Sequence, residues 1–499
     1  MASTRKRTTP WIVATAAIGL TLVGSQSAAG SSSAAEPPST PVPVSTPDGQ
    51  LASYVVNAKI VNPGQVRKVE KAVEAAGGVV VQSWPQIGVV VAHSKNGDFR
   101  TEVVTKAKGA VASAGPTRTA AVLEGTPEGV QAPWGPGKGQ IKAIPRAEDP
   151  VEGPTTPATG VPEQYESLQW DMKNIGVPEA HKTTTGSSKV TVGVLDSGID
   201  PDHPDLASQI DVAQSVNCTA GGRPDTSATG WAPTTSDHGT HVAGTIGAAR
   251  NGVGIVGVAP GVKMASVKVV SDEGYIYPEY AICGFMWAGE KGMEVTNNSY
   301  YVDPFEFWCG DQPEQAAALE AVRRAVKWSQ DEGTVHVAAA GNSSYDLSNK
   351  TTNASSPNDG TAVNRTINSS CKDIPTELDD VLTVSSIDQA GKLSSFSNRG
   401  LGSIDVAAPG SRILSTIVSN NGWGYKSGTS MASPHVAGVV ALMRSAHPEL
   451  SASQVVERIR AQATDTPCST TAAGAPCVGD ASENSYYGQG VVDAAAAVR

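Results

Sequence analysis

Val192 to Ile199 reads VGVLDSGI: an apolar run, Asp196 at its end, then a Ser-Gly turn. A short run without polar alternation is the pattern of a strand buried on both faces. Strand candidates recur at Val190 to Asp196, Lys263 to Val270, Glu294 to Ser299, Thr334 to Ala339 and Val381 to Ser385. Helical stretches lie between or after them, at His241 to Ala249, Glu279 to Lys291, Gln315 to Asp331, Met431 to His447 and Ala452 to Ala463. Strand and helix in alternation imply an α/β domain, a mostly parallel sheet with helices on both faces, over residues 163–499. Functional groups of such a sheet collect at the carboxyl ends of its strands, where Asp196 sits.

Two other segments carry matching chemistry. Asp237 to Gly244 reads DHGTHVAG and sets His238 ahead of a small-residue helix, while Gly428 to Pro434 reads GTSMASP and sets Ser430 at the mouth of another. A serine hydroxyl is a poor nucleophile at neutral pH, so an imidazole must take its proton and a carboxylate must hold that imidazole in one tautomer. The order Asp, His, Ser with these flanking residues resembles the subtilisin-like serine proteases, the subtilases. The resemblance covers about Gln169 to Arg499. It implies that Asp196 is the orienting acid, His238 the general base and Ser430 the nucleophile of a serine endopeptidase working through an acyl-enzyme. It also implies that Asn342, in VAAAGN (Val337 to Asn342), donates to the oxyanion together with the Ser430 backbone N–H. A subtilase-fold peptide ligase or a catalytically silent binding protein would carry the same fold.

The resemblance further assigns substrate backbone pairing to Ser299, Tyr300, Tyr301 and Gly341. Tyr301 stands where the family has Gly, which narrows a pocket, and the long Ser343 to Asp380 stretch leaves the preferred side chain unread. No cofactor is required for the chemistry. A structural Ca²⁺ is implied at Asp205 and Asn251, whose oxygens suit a hard cation. His241, three residues after His238, is expected to be structural rather than half of a zinc pair, and His203 to lie in a surface loop.

Working outward, Arg5, Lys6 and Arg7 precede an uncharged run from Trp11 to Val23 and then small residues, the layout of a signal peptide over 1–35. A Pro-rich spacer (36–50) leads to a small α+β unit over 51–122, similar to the inhibitor-like propeptides of subtilases. A linker over 123–162 follows, with 7 Gly and 8 Pro between Gly125 and Pro162. The expected product is secreted and extracellular, a monomer made as a self-processing zymogen. Its partners are protein or peptide substrates and its own propeptide in cis, with no membrane contact after export.

Lys plus Arg number 37 against 48 Asp plus Glu, a net charge of −11, which excludes a general nucleic-acid binder. That charge is unevenly spread: Tyr54 to Val122 carries net +5 and residues 163–499 carry net −15, so the two parts attract. Six cysteines, all beyond the signal and without a CxxC pair, point to disulfides, of which only Cys468 with Cys477 is assignable by proximity.

Overall fold

Tyr54, Val56 and Ala58 alternate with Val55 and Asn57 along one strand, and the alternation separates two cores. The computed structural model describes residues 36–122, 162–468 and 476–499, with backbone alone at 142–143. The expected signal peptide and nearly all of the linker lie outside the described residues.

The small unit runs β1 (Ala52–Ala58), α1 (Pro63–Ala75), β2 (Gly78–Trp84), β3 (Val89–Ser94), α2 (Phe99–Lys106) and β4 (Val111–Pro116). Its strands pair antiparallel in the order β2-β3-β1-β4. Helix α1 begins where Asn62 Oδ1 accepts from Gln65 N at 2.8 Å, with Pro63 at its first position. Val66, Val69, Val73, Phe99 and Val103 of the two helices pack on Tyr54, Val56 and Val90. Val55, Val89 and Val91 turn the other way, into a cluster shared with the large domain.

The large domain is built on β5 (Thr191–Asp196), β6 (Val216–Ala220), β7 (Arg223–Asp225), β8 (Lys263–Lys268), β9 (Val295–Asn298), β10 (Val335–Ala339), β11 (Val381–Ile387) and β12 (Val406–Pro409). They form one sheet in the order β12-β11-β10-β9-β5-β8-β6-β7, parallel except for the last pair. On one face lie α3 (His238–Gly247) and α6 (Thr429–Ala446), whose Val242, Ile246, Val436 and Val440 pack on Val192, Val194 and Val337. On the other lie α4 (Pro278–Lys291) and α5 (Pro313–Asp331), whose Phe285, Ala321 and Val322 meet Leu195, Val267 and Ala338. Every expected strand and helix is present within a few residues of its expected ends.

The small sheet rests on α4 and α5. Asn57 Nδ2 donates to Ala317 O at 2.8 Å and Arg324 Nη1 to Ala58 O at 3.1 Å. Arg118, just past β4, is largely covered and pairs with the buried Glu279, which also accepts from Ser53 Oγ at 3.0 Å; the guanidinium stacks 3.7 Å from the Tyr277 ring centre. Three disulfides are formed: Cys218–Cys283, Cys309–Cys371 and the expected Cys468–Cys477. Among the described residues no helix is long and apolar enough to cross a membrane.

Candidate active site

Asp196 closes β5, and the register of the parallel sheet fixes what stands beside it. Asn298, the last residue of β9, pairs with Leu195 on one side and with Ala338 of β10 on the other. Ser299 therefore emerges beside Asp196 and next to Ala339, with Gly341-Asn342 following two residues further along the same rim. Helices α3 and α6 begin at the same rim, with His238 and Thr429-Ser430 as their first residues.

His238 Nδ1 lies 2.9 Å from both oxygens of Asp196, whose carboxylate is buried. Asp196 Oδ1 also accepts from Ser197 N at 2.7 Å, so the carboxylate is pinned at the strand end. The ring can present Nδ1–H to the acid, leaving Nε2 basic. Gly239 keeps this approach open: a Cβ there would lie 2.4 Å from Gly198 O and 3.1 Å from Asp196 Cβ.

Ser430 is positioned by a consequence of Pro434. Proline has no N–H, so the Ser430 carbonyl lacks its i+4 donor within the helix. Ser299 Oγ supplies one at 3.0 Å, and Ser430 Oγ donates back to Ser299 O at 3.2 Å. Asn342 is oriented by the neighbouring Thr429: its Oδ1 accepts from Thr429 N at 2.7 Å and from Thr429 Oγ1 at 3.0 Å. Its amide N–H groups are thereby turned the other way. A Cβ built on Gly428 would lie 3.6 Å from both Asn342 Nδ2 and Ser430 N, so these donors border one small space in front of that glycine. Gly341 has φ +100°, and a side chain there would strike Asn398 Nδ2 at 2.3 Å; its N–H reaches Thr429 Oγ1 at 3.1 Å. Thr429 and Pro434 were not singled out from the sequence. Proline four residues after the candidate serine was the available signal.

Tyr300 and Tyr301 are both buried. Tyr300 donates to Asn298 Oδ1 at 3.0 Å; burial, then the nearby Asp196 charge, pushes its phenol well above the ordinary range. The Tyr301 hydroxyl accepts from Asn358 Nδ2 at 3.0 Å, which fastens it to the long loop that follows Asn342. His241 is structural, as expected: its Nε2 lies 3.1 Å from Gly424 O and 3.2 Å from Ile413 O, and burial holds its pKa well down. His203 departs from expectation. It is buried rather than in a surface loop, with Nε2 2.9 Å from Gly422 O and Nδ1 accepting from Asp205 N at 3.2 Å.

Asp205 and Asn251 do not fit a calcium ion as placed. Asp205 Oδ2 accepts from Ile255 N at 3.0 Å and Trp423 Nε1 at 2.7 Å, and Asn251 Oδ1 accepts from Val253 N at 3.1 Å. N–H donors thus occupy the oxygens a cation would need. Asp205 Oδ1 is buried without a hydrogen-bond partner, as is Oε1 of Glu163, whose Oε2 accepts from Gly252 N at 2.7 Å, so the side chains offer two open oxygens, short of the six to eight a calcium ion takes. Among the described residues, metal-type ligands gather at Cys309, Asp311 and Cys371, where both sulfurs are already in a disulfide.

A family model described as the subtilase family matches residues 187–490. The subtilisin of Bacillus pumilus is 32% identical over 334 residues, covering 67% of this chain and all of that protein. The M-protease of Shouchella clausii is 32% identical over 337 residues, covering 67% of this chain and 70% of that one. Among solved structures, the epidermin leader peptide processing serine protease of Staphylococcus aureus superposes with TM-score 0.64 at 20% identity, over 90% of this chain and 98% of that one. Fervidolysin of Fervidobacterium pennivorans, a keratinolytic enzyme related to subtilisin, gives 0.62 at 24% identity, over 90% of this chain and 61% of its own length. These two likenesses are of fold.

Proposed function

Because the chain belongs to the subtilase family of serine-type endopeptidases, we propose that Ser430 is its nucleophile, His238 the general base and then acid, and Asp196 the acid that orients the imidazole. The observation that carries the reading is the double approach of His238 Nδ1 to the buried Asp196 carboxylate, 2.9 Å to each oxygen. It commits one ring nitrogen to the acid and leaves Nε2 for the serine proton. The Ser430 hydroxyl turns from Ser299 O to His238 Nε2, and Oγ attacks the scissile carbonyl carbon as its proton passes to the imidazole. Asn342 Nδ2–H and Ser430 N–H hold the oxyanion. The imidazolium then protonates the leaving amine, and water, deprotonated by the same nitrogen, hydrolyses the acyl-enzyme. No cofactor enters this sequence.

Protein or peptide substrates lie extended along Ser299–Tyr301 and the Gly341 segment, held by main-chain hydrogen bonds. The chain is exported by residues 1–35 and folds with the 51–122 unit as its inhibitory pro-domain. It then cuts itself within 123–162, and the mature 163–499 domain acts outside the cell as a monomer. The buried contacts of the small unit on α4 and α5 support this, as do the charges of +5 and −15.

Covalent labelling with a fluorophosphonate tests the reading. Label on Ser430 that is lost in His238→Ala is expected, with Ser430→Ala accumulating as uncut precursor. Labelling unaffected by His238→Ala overturns the triad.

A further inference from the structure

Ser39, Thr40, Val42 and Val44 make a set of contacts that the small unit's own fold does not need. Ser39 N and Oγ donate to the two oxygens of Asp311 at 2.8 and 2.6 Å, and Gln312 Nε2 donates back to Ser39 O and Oγ, both at 2.8 Å. Thr40 N donates to Thr366 O at 2.9 Å while Thr366 N donates to Thr40 Oγ1 at 2.9 Å, so the segment pairs with a short hairpin edge. Val42 is 5% exposed and joins the cluster packed around α4 and α5, and Val44 N reaches Glu314 Oε2 at 3.2 Å. Each of these hydrogen-bond partners belongs to the large domain.

Pro38, Pro41 and Pro43 alternate with the inward residues and face solvent, where the missing N–H costs nothing and the ring keeps the chain extended before it docks. The dock itself is held firm. Asp311 and Thr366 flank the Cys309–Cys371 disulfide, and Asn368 Nδ2 holds Asp311 Oδ2 at 2.9 Å.

We propose that residues 39–44 are a second anchor of the pro-segment, which makes it a bivalent ligand of the large domain. The strap grips the residues that open α5, while the small unit's sheet and helices meet Glu279 at the start of α4 and Glu314, Ala317 and Arg324 along α5. This rests on the reading of 51–122 as a pro-domain that is cut free. Strap and sheet are joined through residues 45–50, of which Pro47 to Gln50 are exposed. When the linker is cut, a sheet that lifts away stays tethered and re-docks as an intramolecular event, at millimolar effective concentration for so short a tether. Release is therefore set by a second cut, between strap and sheet, and not by the first.

The test uses the full chain in a Ser430→Ala background, with a recognition sequence for an added site-specific protease placed within 123–162. A second version carries that sequence at 45–50 as well. Both fold before they are cut, and the residence time of the small unit on the large domain is followed by size exclusion. At least tenfold faster release from the doubly cut protein is expected, and Asp311→Ala with the linker alone cut moves toward it. Residence times within twofold of each other overturn the proposal. Self-cleavage is measured separately in the active chain without added protease. Its failure would refute the zymogen reading while leaving the residence comparison decisive.

Discussion

Ser299 and Ser430 hold each other by two hydrogen bonds that run in opposite directions: Ser299 Oγ to Ser430 O at 3.0 Å, and Ser430 Oγ to Ser299 O at 3.2 Å. The pair joins the end of a sheet strand to the first turn of α6, and Pro434 makes it necessary by withholding the helix's own donor. Ser299→Ala leaves the Ser430 carbonyl unsatisfied at a cost of about 1–3 kcal/mol. It should lower Tm and kcat together. Pro434→Ala restores an N–H at that position, so the double variant is expected to regain part of both. A double-mutant cycle on thermal unfolding checks this, and strict additivity would show that the two residues are not coupled.

Asn342→Ala removes a side-chain donor while leaving Ser430 and His238 in place. Loss of one oxyanion donor costs roughly 10²–10³-fold in turnover in subtilisin, itself a relative of this chain, and the same order is expected here. KM should move little, because the donor acts on charge that develops only during reaction. Steady-state kinetics on a peptide substrate separate the two parameters.

His93, on β3, sets a direction for pH. Its Nε2 is buried without a hydrogen-bond partner. Burial lowers its pKa below the ordinary 6.5, with Arg118 and Arg223 adding to the effect and Glu279 opposing it. The assembled chain thus favours the neutral ring. That contribution is full above about pH 6.5 and is lost as the pH falls, by at most about tenfold in association constant per pH unit. Residence of the cut small unit should shorten on acidification, and His93→Gln should flatten the profile between pH 7 and 5.

Asp205→Asn retains an acceptor for Ile255 N–H and the Trp423 indole. It is expected to change stability by under about 1 kcal/mol, and a chelator should leave the wild-type Tm unchanged through this loop. A chelator-induced fall in Tm that the variant abolishes would show a cation held there.

The parallel core was legible because VGVLDSGI and its counterparts are apolar without alternation, and each proved a strand of the main sheet. Strand β4, VASAGP, escaped because small residues carry little periodic signal; its place is fixed by pairing with β1 and by Gly115 fitting against Glu314 O. The hairpin from Ile413 to Lys426 escaped for a related reason, since its two strands are defined by each other across a turn. In the candidate site, the motif residues were readable one by one, whereas Thr429 and Ser299 act through contacts that only the fold creates. Pro38 to Val44 read as a spacer because prolines dominate it, although its inward residues already alternated with them. Of the disulfides, only the pair nine residues apart could be chosen; the other two join segments 62 and 65 residues apart.

Arg118 and Glu279 meet where the carboxylate is fully buried and the guanidinium side chain keeps only 9% of its surface exposed. Separating them means hydrating two full ions at once, although joining them gained little over leaving both in solvent. Such a contact adds modestly to the depth of the bound well and heavily to its rim. On the proposed reading of the small unit as a pro-domain, the latch would slow each lifting of the sheet more than it deepens the closed state, adding to the delay before the second cut frees it.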